Sequence, residues 1–258
     1  MSVITLTTDF GTKDPYVASM KGVILGVNSG VSIVDGSHDI PPGDVREAAF
    51  VLETFYSYFP KGTVHVIVVD PGVGGERKLL CLKTRKAFFL APDNGVLTAV
   101  MRKEDRYELR EVSNARFFLN PVSATFHGRD KLAPAAAYLS RSNVFAQLGP
   151  VLKNAARIPW PEARADRNQI LGEIIHLDRF GNLITNISGK DVRNRPKAEM
   201  WLAGRKISRW GTHYAQGEKG VLMSLIGSGG RVEIGLPNGS AAAKTHVRVG
   251  EKVVLKWR

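Results

Sequence analysis

The chain has 258 residues, 43% of them hydrophobic and 23% charged, which is the balance of an ordinary soluble globular protein with enough core for two domains. Its single cysteine, Cys81, excludes an intrachain disulfide and fits a reducing compartment. The formal charge of +12 raises nucleic-acid binding, but the densest basic groups, "MRKEDRYELR" and "DVRNRPKAEMWLAGRKISR", are broken by acids or apolar residues. No helix-turn-helix, RRM or zinc-finger spacing accompanies them, so the charge reads as a solvated basic surface.

In chain order, "MSVITLTTDFG" enters a strand pattern at once, without the basic and apolar regions of a signal peptide. No apolar run approaches the ~20 residues of a membrane helix. The expectation is a cytoplasmic protein without a membrane segment. Residues 1–149 alternate strand candidates "VITLTTD", "VSIVDG", "TVHVIVVD", "LLCLKT" and "AFFLAP" with helix candidates Pro15 to Val27 and Asp44 to Phe59, and an alanine-rich helix at about Asp130 to Ser142 follows. Strand-helix-strand order predicts an α/β domain with a largely parallel sheet. Residues 150–169 carry Pro150, Pro159 and Pro161 among polar residues and read as a linker. From 170 to 258 the helical period disappears, and "ILGEIIHLD", "EMWLAG", "GVLMSLIGS", "GRVEIGL" and "EKVVLKW" predict a small β-barrel or sandwich domain.

The segment "VIVVDPGVGGERKLL", Val66 to Leu80, admits three readings: a phosphate cradle, a plain turn or an active-site edge. The phosphate reading fails on spacing, because Arg77 stands where a third glycine belongs and no G-K-[ST] is present. It fails on context too, since "KLLCLKT" alternates like a strand where a phosphate motif must open a helix. A glycine turn accounts for the segment but leaves Asp70 at the strand end and Arg77 across the turn unexplained.

Ligands of an open α/β sheet collect beyond the carboxyl ends of its parallel strands. Asp9, Asp35, Asp70 and Asp93-Asn94-Gly95 all follow strand candidates and so share that address. Each alone is a common cap or turn residue. "TFHGRD" places His127 before the last helix of the domain, at the same edge. With Asp70 and Arg77, His127 could handle water. A metal site built from Asp9, Asp70, His127 and Asp130 lacks any H-x-H, H-E-x-x-H or cysteine cluster, and Arg77 would repel the cation. "DFG" at Asp9 precedes "HGRD", the reverse of the kinase order, and no kinase Gly-rich loop is present. In the second domain "HLDRFGNLITNI" interrupts a strand. A hairpin turn explains Gly181 and Asn182, but Phe180 between Asp178 and Asn182 suits a pocket that stacks on a flat ring and reads its polar edge.

"LTTDFGTKDPYVASMKGVI", "VVDPGVGGERK", "APDNGVLT", "ATFHGRDKLAPAAAYL" and "DRFGNLITNI" together resemble the S-adenosyl-L-methionine hydroxide adenosyltransferase family, relatives of the fluorinases and chlorinases. The resemblance covers nearly the whole chain in order. It implies an N-terminal α/β domain, a C-terminal β-barrel and a homotrimer whose sites lie between subunits, with S-adenosyl-L-methionine as substrate and no cofactor or metal. The family's Asp, Arg and His triad falls on Asp70, Arg77 and His127. Asp9 matches the residue holding the ribose hydroxyls, and Asp178 the one facing the methionine ammonium. Phe180 and Asn182 match adenine contacts, Tyr214 the aromatic that stacks on adenine, and Ser228 a methionine-carboxylate contact. Gly229 stands where halogenating relatives carry Arg, and Gly43 where the fluorinase carries Trp.

The implied reaction is attack of water at the 5′ carbon, releasing adenosine and L-methionine. Halogenating relatives carry an insertion where this chain has only "KTRKA", Lys83 to Ala87, and a carboxylate at Asp70 disfavours a halide. A SAM-dependent halogenase is the alternative within the family. A non-catalytic SAM-, adenosine- or RNA-binding protein is the alternative outside it, and that role would not require Asp70, Arg77 and His127 together.

Overall fold

The computed structural model describes residues 2–193, 195, 198–207 and 209–257. The chain divides into two compact units, Met1–Pro159 and Trp160–Arg258.

The first unit opens with β1 (Val3–Thr8), α1 (Tyr16–Val27), β2 (Ser32–Ser37), α2 (Val45–Phe55) and β3 (Thr63–Val68). A hairpin of β4 (Leu79–Thr84) and β5 (Ala87–Pro92) follows, then α3 (Thr98–Lys103), β6 (Tyr107–Glu111), α4 (Ala133–Arg141) and β7 (Val151–Leu152). The sheet order is β2-β1-β3-β5-β4-β6-β7. Pairing is parallel from β2 through β1 and β3 to β5, as expected from strand-helix-strand order, and antiparallel from β5 through β4 and β6 to β7. The antiparallel half follows from the β4–β5 connection: Thr84 Oγ1 accepts from the backbone N–H groups of Lys86 and Ala87 and closes a turn too short for a crossover.

Strand alternation sorts the two faces of this sheet. Ile4, Leu6, Val64 and Val66 share a core with Val17, Met20 and Ile24 of α1 and the alanines of α4. Thr5 and His65 point the other way: Thr5 Oγ1 lies 2.8 Å from His65 Nδ1, and the His65 ring meets Phe55 and Tyr56 at the end of α2. His65 also stacks on Phe89 at 5.0 Å, and burial holds its pKa down at about 4, so it serves as a neutral core aromatic. α2 is capped by Asp44, whose Oδ1 accepts from Glu47 N. It ends at Phe55 in a 3₁₀ turn, Tyr56–Tyr58, before Pro60, short of the helix expected to run to Phe59.

The path from β1 to β2 and back across β1 to β3 makes the carboxyl ends of β1 and β3 a topological switch point. Asp9 directly follows β1, and Asp70 lies just beyond β3.

The second unit contains β8 (Arg164–Asp166), β9 (Gln169–Leu177), β10 (Leu183–Ser188), α5 (Gly189–Arg193), β11 (Glu199–Leu202), β12 (Arg205–Ile207), β13 (Arg209–Trp210), β14 (Met223–Ile226), β15 (Arg231–Gly235), α6 (Ala241–Thr245) and β16 (Lys252–Lys256). The order β12-β11-β16-β9-β10-β15-β14-β13, with β8 beside β9, makes a nearly closed, barrel-like sheet. Its corner is β9: residues Gln169–Glu173 pair with β16, and Ile174–Leu177 pair with β10. Gly172 permits the bend, since a Cβ there would lie 2.6 Å from Asn186 Oδ1. Ile174, Leu183, Met200, Val232, Ile234 and Leu255 are among the buried apolar side chains of its core. Within the stretch 150–169, Ala156 N donates to Asp93 Oδ1 and Ile158 N to Thr98 Oγ1, while β8 pairs with β9.

Candidate active site

A cavity of ≈ 520 Å³ opens at the switch point of the first unit. That volume suits a ligand of drug or nucleoside size. Asp9, Asp70 and His127 all line it, so the strand-end address brings together residues separated by more than half of this unit.

Asp9 is held by the Pro42-Gly43 loop, where Gly43 N donates to Asp9 Oδ2 at 2.8 Å. Gly43 has φ +73°, the left-handed region that favours glycine. The apolar wall is a trio of rings, with centroids of Phe10 and Tyr16 5.5 Å apart, Phe10 and Phe126 5.6 Å, and Tyr16 and Phe126 5.4 Å. Phe10 and Tyr16 both follow Asp9 closely in sequence, so the stretch around Asp9 carries two of the three rings.

Asp70, Arg77 and His127 form one connected group. Arg77 folds back across the glycine turn, and its Nε donates to both Asp70 oxygens at 3.0 Å, while Nη2 also donates to Oδ2. The same Nη2 lies 2.9 Å from His127 Nδ1. Both side chains of the ion pair are mostly shielded, at 11% exposure for Arg77 and 7% for Asp70, which makes the bond costly to break from one side. Gly74, at φ +82°, sets the turn, and a Cβ there would lie 2.7 Å from the Ala124 carbonyl oxygen. The turn bearing Arg77 thus rests directly on the loop that leads to His127.

The backbone at His127 departs from the expected plain helix start. Residues Gly128–Leu132 make one π-helical turn before α4, an irregularity that recurs at functional sites. Gly128 permits the close approach to β3, because a Cβ would sit 2.8 Å from Val68 Cγ1. Asp130 is fully buried and anchors the loop, accepting from Ser123 N at 2.7 Å and from Arg129 Nε at 2.6 Å. Asp70 and Asp130 are each engaged by a guanidinium.

Burial, with the charges of Lys131 and Arg77, holds the pKa of His127 below the ordinary imidazole value. A guanidinium only donates, so Nδ1 accepts and the imidazole carries its proton on Nε2.

The second unit carries a separate polar cluster. Asp178 shapes the β9–β10 loop: its Oδ1 accepts from the backbone of Phe180 and Asn182, and its Oδ2 from Asn182 Nδ2. Gly181 takes φ +81°. The stretch is a hydrogen-bonded hairpin loop, and Phe180 projects from it at 77% exposure. Tyr214, on a 3₁₀ turn, donates its hydroxyl to Glu233 Oε2 at 2.8 Å. Ser228 is exposed in the turn joining β14 and β15. Glu233 escapes a sequence reading because "GRVEIGL" presents it as the ordinary polar position of a half-buried strand.

The family model for the SAM hydroxide adenosyltransferase N-terminal domain matches residues 4–149, and that for the C-terminal domain matches residues 172–254. A protein of Methanocaldococcus jannaschii named (R)-S-adenosyl-L-methionine hydrolase is 39% identical over 74% of this chain and 69% of its own. Its namesake from Salinispora arenicola is 33% identical over 97% of this chain and 96% of its own. A fluorinase from Actinoplanes sp. is 30% identical over 74% of this chain and 73% of its own. The crystal structure of an uncharacterized conserved protein from Thermotoga maritima superposes with a TM-score of 0.93 at 31% identity, covering 100% of both chains. With both of its domains matched in order, the chain belongs to the SAM hydroxide adenosyltransferase family.

Proposed function

We propose that the protein hydrolyses S-adenosyl-L-methionine to adenosine and L-methionine, with Asp70, Arg77 and His127 handling the water. The observation that carries this reading is the Asp70–Arg77–His127 group at the edge of a nucleoside-sized cavity. Relatives named hydrolase along nearly the full chain support the same activity.

In the proposed step a water oxygen bonds to the 5′ carbon as the bond from that carbon to sulfur breaks. The electron pair goes to sulfur, which leaves as the neutral thioether of methionine. A sulfonium leaving group needs no general acid, so the protein's work lies in alignment and in taking the water proton. Alignment of a bound nucleophile can contribute ~7–11 kcal/mol, and a positioned base roughly 10²–10⁴-fold. Asp70 takes the proton, because the Nδ1 lone pair of His127 is engaged by Arg77 and Nε2 already bears hydrogen. His127 Nε2–H then serves as the donor that orients the water oxygen, and Arg77 stabilises negative charge as it develops.

Asp9 holds the ribose hydroxyls, Asp178 the methionine ammonium, Phe180, Asn182 and Tyr214 the adenine, and Ser228 the methionine carboxylate. No cofactor or metal enters the proposed step. The assembly in this reading is a homotrimer in which one subunit's first unit and a neighbour's second unit share a substrate. The trimer is what the family resemblance implies, and the division of the two residue sets between separate units is compatible with a shared site.

The test is incubation of purified protein with S-adenosyl-L-methionine and chromatography of the products. Adenosine and methionine in equal amounts support the reading. S-adenosylhomocysteine, methylthioadenosine or a 5′-halogenated nucleoside would replace it.

A further inference from the structure

Glu233 and Gly235 stand two residues apart on β15 and so share one face of that strand, opposite Leu225 and Met223 of β14. Tyr214 lies along this face. Its hydroxyl reaches Glu233 Oε2 at 2.8 Å, and its ring edge covers Gly235, where a Cβ would come within 2.5 Å of Cε1. The same missing Cβ makes room for Asn182, whose Oδ1 would be 2.9 Å from it. A second glycine seats the carboxylate, since a Cβ on Gly227 would fall 1.6 Å from Glu233 Oε1. Two bare backbone positions and one carboxylate therefore fix both ends of a tyrosine that is otherwise 36% exposed on a 3₁₀ turn. Burial and the charge of Asp178 raise the Glu233 pKa, opposed by the Tyr214 hydrogen bond and by His176.

We infer that Glu233 is a positioning residue for nucleobase recognition, holding the Tyr214 ring in one orientation so that a flat heteroaromatic ring can stack on it. The inference rests on the reading above that Tyr214 contacts adenine. An exposed tyrosine on a short turn would otherwise sample several rotamers, and ordering it on binding would weaken affinity. The charge-assisted bond to Glu233 makes that ordering part of folding. Because the hydroxyl is committed to Glu233, the ring surface is what Tyr214 offers a ligand, and the base edge is left to Asn182.

The experiment is a double-mutant cycle on the full-length protein, with adenosine as the calorimetric probe and KM and kcat for S-adenosyl-L-methionine measured alongside. Tyr214→Phe and Glu233→Ala should each weaken adenosine binding roughly 3- to 10-fold, the scale of ordering one side chain. The double variant should be no weaker than either single one, the larger change should fall on KM, and Glu233→Gln should recover most of the loss. Multiplying effects in the double variant, or a Tyr214→Phe protein that binds normally while Glu233→Ala does not, would overturn the inference. Tyr214→Ala separates the levels. If it weakens adenosine binding while the cycle is additive, only the role of Glu233 falls. If it leaves binding unchanged, the adenine contact falls and the inference with it.

Discussion

Arg77 Nη2 lies 2.9 Å from Nδ1 of His127 while the same guanidinium grips both oxygens of Asp70. One donor group thus sets the state of both its partners. The histidine is a neutral Nε2–H tautomer, and the carboxylate faces the cavity with its orientation locked.

The tautomer can be read directly. Nitrogen-15 NMR of the imidazoles should show His127 protonated on Nε2 only, titrating below the ordinary value of about 6.5, because burial and the charges of Lys131 and Arg77 disfavour the imidazolium. The sign for stability follows. The unfolded chain takes up this proton first, so the contribution is fully present above the unfolded pKa and is lost as pH falls from there through the folded one. Activity should share that acid limb, since imidazolium cannot accept from Arg77. A His127 that titrates above 6.5, or carries its proton on Nδ1, would remove the assignment of Asp70 as base.

Arg77→Ala should lower the single-turnover rate by about 10²–10³-fold, the scale of losing one preorganised donor to developing charge, with a smaller change in substrate affinity. Arg77→Lys should restore little of it, because an ammonium cannot span Asp70 and His127 as the planar fork does. Stopped-flow or quench measurements at saturating substrate decide the matter, and wild-type rates in Arg77→Ala would exclude the role.

Gly128→Ala drives a methyl into Val68, and relief of that overlap should cost about 1–3 kcal/mol of stability while displacing His127 from Arg77. Adding Val68→Ala, which removes the facing methyls, should recover both melting temperature and rate. A Gly128→Ala protein of unchanged stability and activity would show that the π-helical turn does not depend on this contact.

Much of this arrangement was legible in the chain. The alternation of β-branched runs and amphipathic stretches carries the parallel half of the first sheet, and the rule that ligands gather at strand ends places Asp9, Asp70 and His127 at one edge. The antiparallel half was less legible, because β6 and β7 hold few β-branched residues and only the tightness of the Thr84–Ala87 turn dictates the reversal. The π-helical turn at Gly128 has no periodic signature, and the close packing of Gly128 on Val68, sixty residues away, leaves no local pattern either. Helix α6, Ala241–Thr245, is too short to show a period. Glu233 was invisible for a different reason: its partner Tyr214 comes from another strand connection, and pairings across a barrel leave no local pattern.

The central claim is that Asp70, Arg77 and His127 deliver water to the 5′ carbon, and it is tested most directly by the origin of one oxygen. Reaction of S-adenosyl-L-methionine in ¹⁸O-labelled water, with excess chloride present, should yield adenosine labelled at its 5′ oxygen, detected by mass spectrometry, with unlabelled methionine beside it. A product dominated by 5′-chloro-5′-deoxyadenosine, or adenosine without the label, would contradict the account.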